Sequence, residues 1–287
     1  MREQSKTAVA PIALAYAGNV RAFDGMVISL LSVVRHCSDP LRVFLLTMDL
    51  RERNPAFLPL TEAHRAYLEE ICRTANAESR VELLDAGPYY RETLLDSPNA
   101  DTSYTPYCFL RLYADRFPQL PDKLIYLDTD TVLCDDLRLL WEEDVSGVEL
   151  AGVRDRYGCH FFGINYLNSG VLLLNLARIR RTQLFRRVLQ LCGEKKIFLP
   201  DQTALHRLTR SKRILPRRYN EQKREREDTV IRHFSMTIRW IPFRTQNVKP
   251  WQPDAVREIL KTHYYDTLLD EYVRRRPHFP SVRKENP

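Results

Sequence analysis

The feature that most constrains the fold is a regular alternation of short apolar runs with amphipathic stretches in the first half of the chain. The apolar runs have the length of strands and lie at residues 12–17, 41–48, 81–84 and 123–127. The stretches between them place apolar residues at helical spacing and lie at 23–36, 62–75 and 104–117. Because parallel strands are joined by crossover helices, this rhythm predicts an α/β domain with a largely parallel central sheet.

The second half of the chain continues the pattern less regularly. It predicts strands at 148–153, 171–176 and 230–234, and helices at 178–192, 201–208 and 254–275. The 287 residues suit one large domain with an appendage. We therefore expect a catalytic or binding domain over residues 1–250 and a helical extension with a tail over 251–287.

The composition excludes a disordered chain and a bundle of membrane spans. The chain is 44% hydrophobic and 28% charged, and its longest apolar runs are far shorter than the ~18 residues that a membrane span needs. The first apolar run, with Arg2 and Lys6 before it and Ala15-Tyr16-Ala17 at its end, can be interpreted as a signal peptide or as a buried strand. Pro11 and the shortness of the run favour the strand. The six cysteines form no CxxC pair, which favours reduced thiols in a cytoplasmic protein.

The positive charge of the chain is concentrated in one segment. The formal net charge is +7, and residues 205–249 hold thirteen basic and four acidic side chains. This predicts an anionic partner, such as a nucleotide diphosphate or a lipid headgroup, although a solvated basic face has the same pattern. The segment has acidic interruptions and no nucleic-acid motif, so we expect no nucleic-acid partner. Three arginines at 274–276 would allow a peripheral contact with an anionic membrane.

The strongest chemical signal is a pair of aspartates, Asp128 and Asp130, directly after the apolar run 123–127. In an extended chain, side chains two residues apart point to the same side, roughly 7 Å apart along the strand. Ligands of open α/β sheets bind at the carboxyl ends of the strands. Two close carboxylates favour a hard cation such as Mg²⁺ or Mn²⁺. The alternative is that both aspartates only cap a following helix.

Two classes of enzyme share this aspartate pattern. In a haloacid-dehalogenase-like phosphatase, Asp128 would be the nucleophile and Asp130 the acid/base, with a further acidic pair at a later strand end. The later candidates Asp266 and Asp270 lie in a helical pattern, which does not suit that role. In a glycosyltransferase with the GT-A fold, the pair would hold a divalent metal against the diphosphate of a nucleotide-sugar.

Further motifs favour the second class. The chain resembles family-8 glycosyltransferases, which include bacterial lipooligosaccharide galactosyltransferases and glycogenin, from about residue 10 to 251. The matching motifs occur in the order of that family, and they are Tyr107…Arg111-Leu112, Asp128-Thr129-Asp130, Tyr166-Leu167-Asn168-Ser169-Gly170, Asp201-Gln202 and Lys249-Pro250-Trp251. The resemblance implies a single GT-A domain with a mixed, mostly parallel sheet.

The resemblance also implies roles for individual residues. Asp128, Asp130 and His233 would bind Mn²⁺ or Mg²⁺, and Lys249 would neutralise the phosphates of a departing UDP. Asp201 and Gln202 would lie nearest the reacting carbon as the catalytic pair. The residues implied to bind the UDP-sugar donor are Asn19, Arg111, Asp128, Thr129, Asp130, Asp155, Asn168, Asp201, Gln202 and Lys249.

The implied reaction is retaining transfer of glucose or galactose from a UDP-sugar to a glycan or a lipid-linked saccharide. Two departures from the family pattern stand out. His233 and Lys249 are separated by an extra segment, and Met236 stands where the family has glycine. We expect residues 237–248 to loop out near the site. Asn19 stands where many relatives have an acid, and its amide can still bind uracil.

Overall fold

The computed structural model describes residues 10–100, 106–240 and 243–277. Its strands are β1 (Ile12–Ala17), β2 (Leu41–Thr47), β3 (Arg80–Asp85), β4 (Lys123–Leu127), β5 (Thr131–Leu133), β6 (Leu150–Arg154), β7 (Leu167–Asn175), β8 (Lys212–Ile214), β9 (Ile231–His233), β10 (Thr237–Trp240) and β11 (Phe243–Gln246). Its α-helices are α1 (Phe23–His36), α2 (Glu62–Ala75), α3 (Gly87–Thr93), α4 (Arg138–Trp141), α5 (Gly158–Phe161), α6 (Leu176–Thr182), α7 (Leu184–Glu194), α8 (Pro200–Leu208), α9 (Pro253–Glu258) and α10 (Asp266–Arg275). None of these helices is long and apolar enough to cross a bilayer.

A seven-stranded mixed sheet organises the fold. Its strand order is β3-β2-β1-β4-β7-β6-β8. The first four strands in that order are parallel, whereas β7 runs antiparallel to both β4 and β6. The strand order reverses at β1, which pairs with β2 on one side and β4 on the other. Such a reversal leaves a crevice at the carboxyl ends of the strands, where ligands bind in α/β proteins.

Both faces of the central strands β1 and β4 are buried, as expected for strands with nearly continuous apolar runs. Along β1, Leu14 and Tyr16 belong to the core beneath α1 and α2, whereas Ala13 and Ala15 belong to the core beneath α7 and α8. The small alanines leave room for the 3₁₀ helix Pro106–Arg116, which packs on that second face. The predicted α/β architecture with a mixed, mostly parallel sheet is confirmed.

Several predicted elements have different boundaries or geometry. The predicted helix 104–117 is a 3₁₀ helix from Pro106, and residues 104 and 105 lie outside the described part of the chain. The single helix predicted at 178–192 is wrong, because Gln183 adopts a left-handed conformation (φ 53°) that separates α6 from α7. The single helix predicted at 254–275 is also wrong, because a break with Lys261 at φ 54° separates α9 from α10. The extra segment after His233 pairs into an antiparallel hairpin of β10 and β11.

The C-terminal helix α10 packs on α1. Leu268, Leu269 and Tyr272 are buried in the same core as α1. An ion pair of 2.6 Å joins Arg276 to Asp24 at the start of α1. The predicted division of the chain at residue 250 stays a prediction, and residues 278–287 of the predicted tail lie outside the described residues.

Candidate functional site

A tight turn follows β4 and carries the two aspartates. Asp128 N donates to Gly170 O at 2.7 Å. Thr131 N donates to Asp128 O at 3.2 Å, which closes the turn. The sequence analysis expected an extended chain through Asp128 and Asp130, and this expectation is wrong. The turn brings ligand atoms of Asp128, Asp130 and His233 within 4.8 Å of one another.

His233 reaches the aspartates because β9 pairs with β5. In this antiparallel pair, His233 lies opposite Thr131, one residue after Asp130. The imidazole Nε2 lies 3.1 Å from Asp130 Oδ1, and the side chain is buried. The sequence prediction that these three residues meet is thus consistent with the structure, despite the extra residues before Lys249.

The donor set fits a hard or borderline divalent cation. Two carboxylates and one imidazole suit Mn²⁺ or Mg²⁺. Gly170 leaves space for this cluster, because a Cβ there would lie 2.3 Å from His233 Cε1 and 2.7 Å from Asp128 Oδ2. Any side chain at this position would therefore push two of the three candidate ligands aside.

Asp130 is flanked by two positively charged or chargeable groups. Lys249 Nζ lies 2.6 Å from Asp130 Oδ2 and donates to Phe234 O at 3.0 Å. Burial alone would raise the pKa of Asp130, but His233 and Lys249 hold this pKa well below its usual range. Asp130 is therefore ionised at any physiological pH.

Asp128 is held by a different cation, Arg111, from the buried 3₁₀ helix. Arg111 is 5% exposed, and its Nη2 lies 3.0 Å from Asp128 Oδ1. The guanidinium also lies over the Tyr126 ring, 4.4 Å from its centroid, and donates to Ser169 O. Burial would lower the pKa of Arg111, but Asp128 and its other neighbours raise it above the ordinary value. Arg111 is therefore a fixed positive charge that orients Asp128.

A third acid, Asp201, lies on the far side of Arg111. Its Oδ2 is 3.6 Å from Arg111 Nε and accepts a hydrogen bond from Ser169 Oγ at 3.2 Å. Burial raises the pKa of Asp201, and Arg111 opposes that rise. Pro200 at the start of α8 fixes the turn from which Asp201 and Gln202 enter the site.

Amide side chains connect Asp201 and its neighbours to Asp155 at the end of β6. Asp155 Oδ2 accepts hydrogen bonds from Asn168 Nδ2 at 2.9 Å and from Gln202 Nε2 at 3.4 Å. Gln202 Oε1 in turn accepts from Ser169 N at 2.9 Å. The structure thus brings together the residues predicted on four separate elements.

Asn19 and Thr129 lie at the same edge of the sheet but are involved in other contacts. Asn19 follows β1, is buried, and accepts a hydrogen bond from Arg21 N at 3.1 Å. Thr129 lies in the turn after β4, where α1 approaches so closely that a Cβ on Gly25 would lie 2.6 Å from Thr129 O. Contacts of these two residues with a nucleotide stay a prediction.

Sequence reasoning missed three side chains of this region. Tyr126 donates from its hydroxyl to Asp128 Oδ1 at 2.9 Å, and strand alternation could have placed it on the face of Asp128. Ser169 bonds to both Asp201 and Gln202. Asn220 contacts both His233 and Asn168, and nothing in its local sequence indicates this position.

The acidic pair considered for a phosphatase has another partner. Asp266 and Asp270 both form ion pairs with Arg257, at 2.8 and 2.6 Å, between α9 and α10. These two aspartates therefore link α10 to α9 through Arg257.

Comparisons with known proteins identify the family of the chain. Residues 12–255 match the model of glycosyl transferase family 8. A stretch of 111 residues, 38% of this chain, is 36% identical to the glycosyltransferase GlyA of Streptococcus pneumoniae. That stretch spans only 16% of the length of GlyA.

Solved structures show the same fold at low sequence identity. An active-site mutant of LgtC superposes with a TM-score of 0.64 and 17% identity, covering 96% of this chain and 98% of that one. The galactosyltransferase LgtC in complex with donor and acceptor sugar analogues superposes with a TM-score of 0.61, at the same identity and coverage.

Proposed function

The chain belongs to glycosyltransferase family 8, and on that premise we propose that it is a metal-dependent, retaining hexosyltransferase. The donor is a UDP-sugar carrying glucose or galactose, and the acceptor is a glycan or a lipid-linked saccharide. Support for a sugar donor and a sugar acceptor comes from LgtC, which has been crystallised with analogues of both.

The observation that carries this proposal is the cluster of Asp128, Asp130 and His233 beside Lys249. These three candidate ligands lie within 4.8 Å at the carboxyl end of β4, next to the reversal of the strand order. A bound Mn²⁺ or Mg²⁺ would supply positive charge against the donor diphosphate as UDP departs. Lys249 adds a second positive charge at the same place.

The donor sugar is held by the polar group on the other side of Arg111. Asp155 and Asp201 offer carboxylate oxygens, and Asn168 and Gln202 offer amides, all on buried or half-buried positions that suit sugar hydroxyls. Gln202 is a poor nucleophile because its amide carries no charge. We therefore propose transfer on the face from which UDP leaves, with a phosphate oxygen of the donor taking the proton of the acceptor hydroxyl.

The location of the protein is a separate part of the proposal. We place it in the cytoplasm, with peripheral contact to the inner face of an anionic membrane. Of the three arginines at 274–276, the exposed Arg274 supports this contact. Arg275 and Arg276 support it less, because Arg275 pairs with Glu271 at 3.1 Å and Arg276 pairs with Asp24. Co-sedimentation with anionic vesicles at low and high salt tests it.

We also propose that residues 1–250 form the transferase domain and 251–287 an extension. The site residues all precede residue 250, and α9 and α10 contribute buried side chains to the core without contributing to the site.

A donor screen tests the proposed reaction without knowledge of the acceptor. UDP-, GDP- and dTDP-sugars are each added with Mn²⁺, and hydrolysis of the donor and thermal stabilisation of the protein are measured. We expect a response to UDP-glucose or UDP-galactose that needs the metal and is absent in Asp130→Asn. Release of phosphate from small phosphoesters without any response to nucleotide-sugars would contradict the proposal.

A further inference from the structure

We propose that Asn220 is a positioning residue that sets the tautomer of His233, so that Nδ1 carries the proton and Nε2 is available to a metal ion. Asn220 is fully buried, and its side chain lies between His233 and Asn168. This inference rests on the proposed metal site and concerns what holds the imidazole in its binding form.

The argument starts from two hydrogen bonds whose directions are fixed by chemistry. Gly170 N–H can only donate, and its partner at 3.0 Å is Asn168 Oδ1. Asp155 Oδ2 lies 2.9 Å from Asn168, and a carboxylate oxygen accepts, so the atom that faces it is the donor Nδ2. Backbone N–H groups of Tyr157 and Gly158 donate to the other oxygen of Asp155. The amide of Asn168 can therefore take only one of its two orientations.

The orientation of Asn168 then determines that of Asn220. Because Asn168 presents its oxygen, Asn220 must present Nδ2 to it, and these atoms are 2.9 Å apart. Asn220 Oδ1 consequently faces His233 Nδ1 at 3.1 Å. An amide oxygen only accepts, so His233 must donate from Nδ1.

The result is a directed chain of hydrogen bonds from Asp155 through Asn168 and Asn220 to His233. Its interior members are buried, which leaves no water to compensate for a reversed amide. The other ring nitrogen of His233, Nε2, is the atom that lies 3.1 Å from Asp130 Oδ1 in the candidate metal cluster. Asp155, among the proposed sugar-binding residues, thus fixes the tautomer of His233, a proposed metal ligand.

Two substitutions of Asn220 separate its effect on His233 from its packing. Asn220→Ala removes the acceptor, and we expect it to weaken Mn²⁺ binding by about 10-fold or more, as for other partners of metal-bound histidines. Asn220→Asp keeps an acceptor for Nδ1, and we expect its Mn²⁺ affinity to stay close to that of the wild type. Affinity is measured by isothermal titration with MnCl₂ in the absence of donor, on variants whose circular dichroism shows a folded protein.

Gln222→Ala is the matched control. Gln222 is a buried amide two residues away, and its hydrogen bonds go to backbone atoms of Arg154, Arg156 and Asn220. We expect this variant to lose stability while keeping its Mn²⁺ affinity. An equal loss of affinity in Gln222→Ala and Asn220→Ala would overturn the proposal, because the effect would then be structural.

A spectroscopic measurement addresses the tautomer directly. Nitrogen NMR of the ¹⁵N-histidine-labelled protein, saturated with Mg²⁺, should show His233 protonated at Nδ1 in the wild type. A proton on Nε2 would overturn the proposal even if Asn220→Ala fails to fold. If the wild type binds no Mn²⁺, the metal site of the proposed function fails with it; if it binds Mn²⁺ and Asn220→Ala binds equally well, only the role of Asn220 fails.

Discussion

Lys249 Nζ lies 2.6 Å from Asp130 Oδ2, so the lysine expected to meet the donor diphosphate shares a carboxylate with the proposed metal site. A divalent cation on Asp130 and the ammonium of Lys249 would repel each other unless an anion lies between them. The donor diphosphate is such an anion. The contact therefore predicts that metal and donor bind with positive coupling.

The first prediction concerns Lys249→Met, which removes the charge and keeps most of the side-chain length. We expect this variant to bind Mn²⁺ more tightly without donor, because one positive charge beside the site is lost. Its affinity for UDP and its turnover should both fall. Titration calorimetry with MnCl₂ and with UDP measures the two effects, and exposed Lys196→Met is the control. Weaker Mn²⁺ binding in Lys249→Met would contradict the competition for Asp130.

The second prediction compares the two aspartates. Asp128→Asn and Asp130→Asn should each abolish transfer, since each removes charge that holds the cation, a type of electrostatic support commonly worth about 3–4 kcal/mol. Asp128→Asn should also lower the melting temperature more, because the buried Arg111 then loses the shorter of its two ion pairs, whereas Lys249 keeps some solvent contact. Scanning calorimetry measures this difference. Equal melting temperatures, or activity near that of the wild type, would refute the assignment.

The third prediction concerns the glycine that leaves space for the metal ligands. Gly170→Ala places a Cβ 2.3 Å from His233 Cε1 and 2.7 Å from Asp128 Oδ2, so both ligands must move. We expect loss of Mn²⁺ binding and of transfer in a protein that still folds. Gly147→Ala is the control, because a Cβ there meets nothing within 4 Å. Mn²⁺ binding by Gly170→Ala at the wild-type affinity would show that the ion binds elsewhere.

The sequence predicted the elements that a strong hydrophobic period defines. Helices α1 and α2 and strand β4 have the predicted boundaries, because their apolar residues lie at the spacing of the element and polar residues mark their ends. The break at Gln183 was not predicted, since neither glycine nor proline marks it. The left-handed conformation there lets α7 bury its own apolar side, including Leu184 and Phe185, in the core that also contains Ala13 and Ala15 of β1.

The sequence could predict only those site residues whose type and position in the chain indicate a chemical role. Asp128 and Asp130 stand out because carboxylates directly after a buried strand are costly without a partner. Asn220 could not be found in this way, because its contacts join it to His233 and Asn168, which are 13 and 52 positions away in the chain. The turn that brings the aspartates together is closed by hydrogen bonds from Thr131 to Asp128 O, which the assumption of an extended chain did not include.

The last prediction concerns stability against pH and a carboxyl group away from the site. Burial raises the pKa of Asp115 to about 6, although Arg116 and Arg180 act against the rise, and its Oδ1 has no hydrogen-bond partner among the described residues. Below its unfolded pKa the group is protonated in both states and has no effect on stability. As the pH rises toward 6 the unfolded chain releases the proton first, so the folded state loses stability, and the loss is complete above pH 6. With about 1.4 kcal/mol for each pKa unit, the loss is on the order of 2–3 kcal/mol.

Asp115→Asn should therefore melt at a higher temperature than the wild type at pH 8, and this difference should shrink toward pH 4.5. Asp122→Asn is the control, because Asp122 pairs with Arg180 at 3.2 Å and is 78% exposed. A difference between Asp115→Asn and the wild type that stays constant from pH 4.5 to 8 would show that the buried carboxyl does not titrate in this range.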